Sequence, residues 1–291
     1  MAANKMLYTP RKFDAHGDAE IDAIAAKADC SRSPVRFLCE TKSTGHTGGS
    51  DADCTLSMRS SSTSGPMKPL VIYGAGGYGR EVAWIACDIN SQRPTWDLLG
   101  FLDNNAATLP KSVCGLPVLG TAQWLAKNPR VHVALAIGDP KARAKIARSL
   151  QASNLALANL IHPTAILPRH PRWETSVGRG TIVGSNVVIN TRTAVGDCVI
   201  ISKCCTIGHD VVVQDFASIM PLCSVSGSSR IQRAAFVGTG ANIIEHVNVG
   251  CGAVIGAGSV VISDIPAGCT AVGVPAKVVK WPKPEVMIPK L

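Results

Sequence analysis

"VGSNVVINTRTAVGDCVIISKCCTIGHDVVV", residues 183–213, decides the fold. Val183, Ile189, Val195, Ile201, Ile207 and Val213 stand six apart. The series extends in both directions: every sixth residue from Val177 to Val261 is Ile or Val, fifteen in succession. If a third of the residues here were Ile or Val, such a run would have odds on the order of 10⁻⁷, so the period marks a hexapeptide repeat. Four residues after each anchor comes a small or β-branched side chain, from Thr181 through Cys205 and Ala241 to Ile265. Gly often follows the anchor, as in "VGDC" and "IGHD". Each hexad therefore reads as one short strand plus a corner, with the anchor inside, the small residue where the wall is tight, and Gly supplying corner dihedrals. Three hexads make an 18-residue coil, and fifteen make five coils of a parallel β-helix. Each coil covers the next, so stability is mostly nearest-neighbour. "LIHPTAIL" (160–167) reads as the entering coil, "PRHPRWETS" (168–176) as a break, and the chain from Val261 onward as exit and cap.

The stretch before the solenoid is different. "PLVIY", "LLGFLD" and "VHVALAIG" read as strands, and "GYGREVAWIACDIN" and "DPKARAKIARSLQ" as helices. Asp139 is the N-cap of the second helix and Pro140 its first residue. This alternation predicts a small parallel sheet with helices on its faces. The fold class is thus α/β plus β-solenoid, with a Rossmann-like domain over 67–160 and a β-helix domain with its cap over 161–291. Residues 1–66 include a Ser, Thr and Gly run (43–65) with little to bury, so they are expected to be a disordered extension. The expectation is that Met67 is the natural start or that 1–66 is a dispensable extension.

Composition narrows the function. Apolar residues make up 46% of the 291 and aromatics 4%, so the core is aliphatic. No apolar run approaches the roughly 20 residues of a membrane span. Net charge is +9, all of it outside residues 1–66, which suits anionic ligands. No dense basic stripe with interleaved aromatics is present, which argues against nucleic acid. The eleven cysteines form no C-x-x-C pair and no zinc spacing. Most lie in apolar contexts and read as small buried hydrophobes in a reducing cytoplasm.

Two features carry chemistry. "GAGGYG" (74–79) follows a strand and opens a helix, a setting whose N–H groups suit a pyrophosphate. Asp103, at the end of the second strand, stands where a ribose-binding acid belongs. Only about 90 residues of α/β remain, however, short of a full dinucleotide fold. His209 and Asp210 sit at a corner, where neighbours need not point to opposite faces. A histidine is the natural base at neutral pH, and an adjacent acid favours one tautomer. The solenoid's two histidines, His209 and His246, cannot supply the three ligands of a β-helix metalloenzyme, so no metal is expected. Cys205 falls at an inward position and reads as inert, His162 as structural, and His132 as packing.

The hexads followed by "GVPAKVV" (273–279) resemble the left-handed β-helix acyltransferases. "VIYGAGGYGREV", "FLDNN", "AIGDPKARAKI" and "LIHPTAI", in that order, narrow the resemblance. It points to sugar acetyltransferases that include the sialic acid O-acetyltransferases and the N-acetyltransferases of nucleotide-linked amino sugars. The resemblance runs from about Lys68 to Lys280. It implies a left-handed solenoid, a cytoplasmic homotrimer, acetyl-CoA as co-substrate and a nucleotide-linked amino sugar as acceptor, in surface glycan biosynthesis. An O-acetylated sugar is the alternative, and a non-enzymatic solenoid module a weaker one. It also implies His209 as base with Asp210 behind it, and Gly227 as the oxyanion donor. Gly76, Gly77, Tyr78, Asp103, Asn104 and Gly138 become substrate contacts, and Ser218, Thr239 and Ala257 line the acetyl-CoA slot. At Ser218 relatives often have a second His, and at Tyr78 a His is frequent.

Overall fold

The computed structural model describes residues 66–151 and 155–282. The extension expected over 1–66 therefore lies, but for its last residue, outside the described residues. β1 (Lys68–Tyr73) is central in a six-stranded sheet, between β2 (Trp96–Leu102) and β5 (His132–Leu135), all parallel. β4 (Leu116–Gly120) pairs with β2 and β6 (Ala156–Leu157) with β5, both parallel, while β3 (Ser112–Val113) closes one edge antiparallel. Alternation along β1 sorts its side chains to two layers. Leu70 and Ile72 pack with Val82, Ala83, Ile85 and Ala86 of α1 (Gly77–Gln92). Val71 and Tyr73 join Ala144, Ala147 and Leu150 of the opposite layer. The short α2 (Gln123–Ala126) leads to β5, and α3 (Pro140–Gln151) carries that second stripe. Asp139 Oδ1 accepts the Ala142 N–H at 2.6 Å, the expected N-cap.

From Leu160 the chain winds into the solenoid. β7 (Leu160–Ile161) enters, and fifteen two-residue strands follow, β8 (Ser176–Val177) to β22 (Val260–Val261). Partners are 18 apart: Ala194 faces Val212, Ile201 faces Ile219, and Ile207 faces Val225. This makes a three-sided prism. Face 1 holds 176–177, 194–195, 212–213, 230–231 and 248–249; face 2 holds 182–183 and its repeats; face 3 holds 188–189 and its repeats. A hairpin of β23 (Thr270–Gly273) and β24 (Ala276–Lys280) continues face 2 at the far end. The anchors point inward and are buried almost without exception. At the small inward positions, hydroxyls and thiols donate to carbonyls: Thr193 Oγ1 to Gly208 O at 2.8 Å, Ser229 Oγ to Ile244 O at 2.8 Å, and Cys223 Sγ to Gly238 O at 3.1 Å.

The corners correct one expectation. The left-handed residue is the third after every anchor but the last, Val261, and not the glycine directly after the anchor. Asn186, Arg192, Cys198, Cys204, Asp210, Phe216 and Leu222 all have φ between 53° and 63°. Each costs about 1–2 kcal/mol in that conformation, offset by a bond to the next coil such as Asp210 N–H to Thr191 O. The glycines after the anchors serve stacking instead. A Cβ on Gly208 would lie 2.7 Å from the Gly227 nitrogen, and one on Gly196 2.8 Å from the Asp215 nitrogen. At these two positions glycine lets the neighbouring coil's backbone approach closely within the β-sheet spacing of about 4.8 Å.

The α/β domain sits on face 2 and grips both of its edges. Ile182, Ile200 and Ser218, which point out from face 2, are buried. Lys203, on the edge between faces 2 and 3, pairs with Glu81 of α1 at 3.1 Å. His162 Nε2 meets Asp88 at 2.9 Å, while its Nδ1 accepts the Thr164 N–H, so it pins α1 to the entering coil. His132 packs edge-on against Trp96. Both histidines have the structural roles expected of them.

Candidate active site

The edge between faces 3 and 1 carries His209, and stacking fixes its surroundings. Thr191, His209, Gly227 and Glu245 form one column; Arg192, Asp210, Ser228 and His246 form the next. Left-handed geometry at Asp210 turns its carboxylate back toward its neighbour. His209 Nδ1 and Asp210 Oδ2 are 2.7 Å apart. The carboxylate accepts the Nδ1–H, which leaves Nε2 as the basic nitrogen. The His209 side chain is 65% exposed and that of Asp210 30%, so the imidazole is open to solvent. The imidazole lies over Gly227: a Cβ there would be 2.7 Å from His209 Cε1 and 2.8 Å from Nε2. Gly227 has no left-handed φ to explain it; the ring needs the space. Among the described residues its N–H has no hydrogen-bond partner, so a free donor stands beside the basic nitrogen.

The edge between faces 2 and 3 stacks Pro221, Thr239 and Ala257, joined by Gly240 N–H to Pro221 O and Gly258 N–H to Thr239 O. Thr239 and Ala257 are exposed residues, and their N–H groups are unpaired among the described residues. Ser218 is not in that column. Its hydroxyl is buried at the domain junction, where it donates to Gly138 O and accepts from Arg143, both at 2.8 Å. The side chain therefore does not face the slot expected for it.

The glycine loop opens α1 as expected. Gly76 caps the helix without a side-chain bond, the first turn holds no acid, and Gly76 and Gly77 are exposed. The helix N-terminus is thus an open anion site. Asp103 braces the loop, its two oxygens accepting the Ala75 and Asn105 N–H groups at 3.0 and 2.9 Å. Asn104 accepts the Tyr73 hydroxyl at 2.7 Å. Tyr78 turns toward the solenoid and lines a crevice with Glu81, Ser185, Ser202 and Lys203; burial pushes its phenol up. Cys205 is fully buried at its inward position and its Sγ donates to Met220 O at 3.0 Å; the neighbouring Cys223 and burial push its thiol up. Among the described residues no group of three or more His, Cys, Asp or Glu is placed to hold a metal.

A curated relative, GDP-perosamine N-acetyltransferase of Escherichia coli O157:H7, is 32% identical over 179 residues, spanning 60% of this chain and 78% of its own. The chain belongs to the N-acetyltransferases of nucleotide-linked amino sugars. It is an acyltransferase, and its β-helix is of the left-handed kind. Residues 69–150 match the PglD N-terminal domain. The acetyltransferase domain of PglB from Neisseria gonorrhoeae FA1090, solved with acetyl coenzyme A, is 32% identical with a TM-score of 0.67, over 74% of this chain and all of that one. PerB from Caulobacter crescentus, solved with CoA and GDP-perosamine, is 28% identical with a TM-score of 0.66, over 73% and 98%.

The enzyme holds two arginines that the sequence reading missed. Arg143 is fully buried. It donates to the carbonyls of Cys198, Ile137, Gly138, Phe216 and Ala217 and to Ser218 Oγ. Burial lowers its pKa to about 10, so it stays charged at neutral pH. It ties the Gly138 loop to the edge between faces 1 and 2. The signal was its place on the buried stripe of α3, beside Ala144, Ala147 and Leu150. Arg192 touches Asp210, and its signal was the interval of 18.

Proposed function

We propose that the enzyme carries the acetyl group of acetyl-CoA to the amino group of a nucleotide-linked amino sugar, with His209 as base. The observation that carries this is the 2.7 Å bond from His209 Nδ1 to Asp210, with Nε2 free above Gly227. The neutral amine attacks the thioester carbonyl and Nε2 takes its proton. The Gly227 N–H steadies the oxyanion, a donor of the kind worth about 3 kcal/mol. Collapse breaks the C–S bond, and the imidazolium returns the proton to the departing thiolate. The coenzyme lies along the edge of Thr239 and Ala257 and bonds their N–H groups. The nucleotide diphosphate rests on Gly76 and Gly77 at the N-terminus of α1, with Tyr78, Asp103, Asn104 and Gly138 around it.

One chain does not bring these parts together. The glycine loop belongs to the domain on face 2, while His209 stands on the edge opposite that face. A second copy completes each site, and a closed ring of three satisfies every copy. This homotrimer works in the cytoplasm, where the exposed thiols of Cys87, Cys114 and Cys204 stay reduced. The test is a panel of GDP-, UDP- and dTDP-linked amino sugars with acetyl-CoA, followed by thiol release, alongside sedimentation of the protein. Turnover with an amino sugar and none with its hydroxyl analogue is expected. Transfer to the hydroxyl analogue alone would overturn the reading.

A further inference from the structure

The two oxygens of Asp210 have separate partners. Oδ2 bonds His209 Nδ1 at 2.7 Å and Oδ1 bonds Arg192 Nε at 2.9 Å. We infer that Arg192 is a positioning residue for the base, acting through Asp210; this rests on His209 being that base.

A carboxylate held by one oxygen is loosely fixed, because the terminal torsion of Asp is broad. His209 cannot supply the missing constraint. It is largely exposed, and its ring touches no side chain at Gly227. Arg192 supplies it from the coil below. It stands 18 residues before Asp210, in the same left-handed conformation, φ 54° against 57°. Its N–H is bonded to Trp173 O at 2.7 Å. Its Nε lies 3.8 Å from Glu174 Oε2, so a second acid steadies the guanidinium from the side of the break at 168–176. The order Glu174, Arg192, Asp210, His209 is a relay of orientation, with no proton moving along it. With Oδ1 pinned, Oδ2 faces Nδ1, the Nδ1–H tautomer is selected, and Nε2 faces the reactant.

Turnover of GDP-perosamine and acetyl-CoA is measured by thiol release in Arg192→Met, Asp210→Asn and the double variant. Met keeps the stem of a half-exposed side chain, so folding should be intact by circular dichroism. Arg192→Met should lower kcat about tenfold with KM for both substrates within about twofold, a small share of what general-base catalysis contributes. In the Asp210→Asn background the same change should add less than about twofold, because contacts in series are not additive. Arg192→Lys, which keeps a charged donor, should recover part of the loss. Multiplicative losses, a pure KM effect, or a normal kcat in Arg192→Met would each overturn the inference. Normal turnover in Asp210→Asn would overturn it as well. The base assignment is read separately from His209→Ala, whose normal turnover would remove that reading and not only this one, so the two failures are told apart.

Discussion

Adding one methyl group at Gly227 tests the ring placement most sharply. An alanine Cβ would stand 2.7 Å from His209 Cε1, against a normal contact of about 3.5 Å or more. The imidazole must therefore retreat by about 0.8–1 Å, and its exposure lets it swing outward. That motion breaks the 2.7 Å bond to Asp210 and carries Nε2 away from the Gly227 N–H. A displacement near 1 Å costs about 100-fold in kcat. The fold should not suffer: φ at Gly227 is not left-handed, and Gly→Ala at a compatible site changes stability by about 0.4–1 kcal/mol, in the favourable direction. The N–H also survives, so the loss reports on the ring and not on the Gly227 N–H. Thiol release gives kcat and thermal unfolding gives stability. A folded Gly227→Ala protein with kcat within about threefold of the parent would refute the reasoning.

His209→Ala should lose at least about 100-fold in kcat, the general-base share, with an unchanged unfolding midpoint. Arg143→Met strands several buried carbonyls and should destabilise the chain by about 3 kcal/mol or more, with faster amide exchange concentrated at the domain junction. Ser218→Ala should cost only about 1 kcal/mol and leave KM for acetyl-CoA unchanged, which a direct coenzyme contact would not allow. Mixing His209→Ala with Gly77→Asp protein, each inactive alone, should restore part of the turnover if sites lie between copies; none would indicate a site within one chain. Incubation with a chelator should leave turnover unaltered.

The solenoid is legible because its inward positions recur every six residues, and side-chain volume constrains each one. The columns follow from the 18-residue coil, which is how His209, Gly227 and Thr239 could be placed before any coordinates. What periodicity cannot show is what covers a face. Ser218 reads as an outward strand residue like any other, yet the α/β domain buries it. That depends on Arg143, a contact 75 residues distant. The corner glycines were misjudged for a related reason. A residue's own dihedrals can be guessed locally, but the Gly227 nitrogen that excludes a side chain from Gly208 belongs to the next coil. The last strand of the α/β sheet ends at Leu157, and the first strand of the solenoid begins at Leu160.

The 18-residue coil also makes chain length a unit of distance. A whole coil inserted between Ile201 and Ile207 would leave His209 on its edge, about 4.8 Å further along the axis. A single hexad inserted there would turn His209 to a different edge of the prism. Indels in this region therefore act as translations or rotations of the His209 side chain, and only multiples of 18 keep it on its edge.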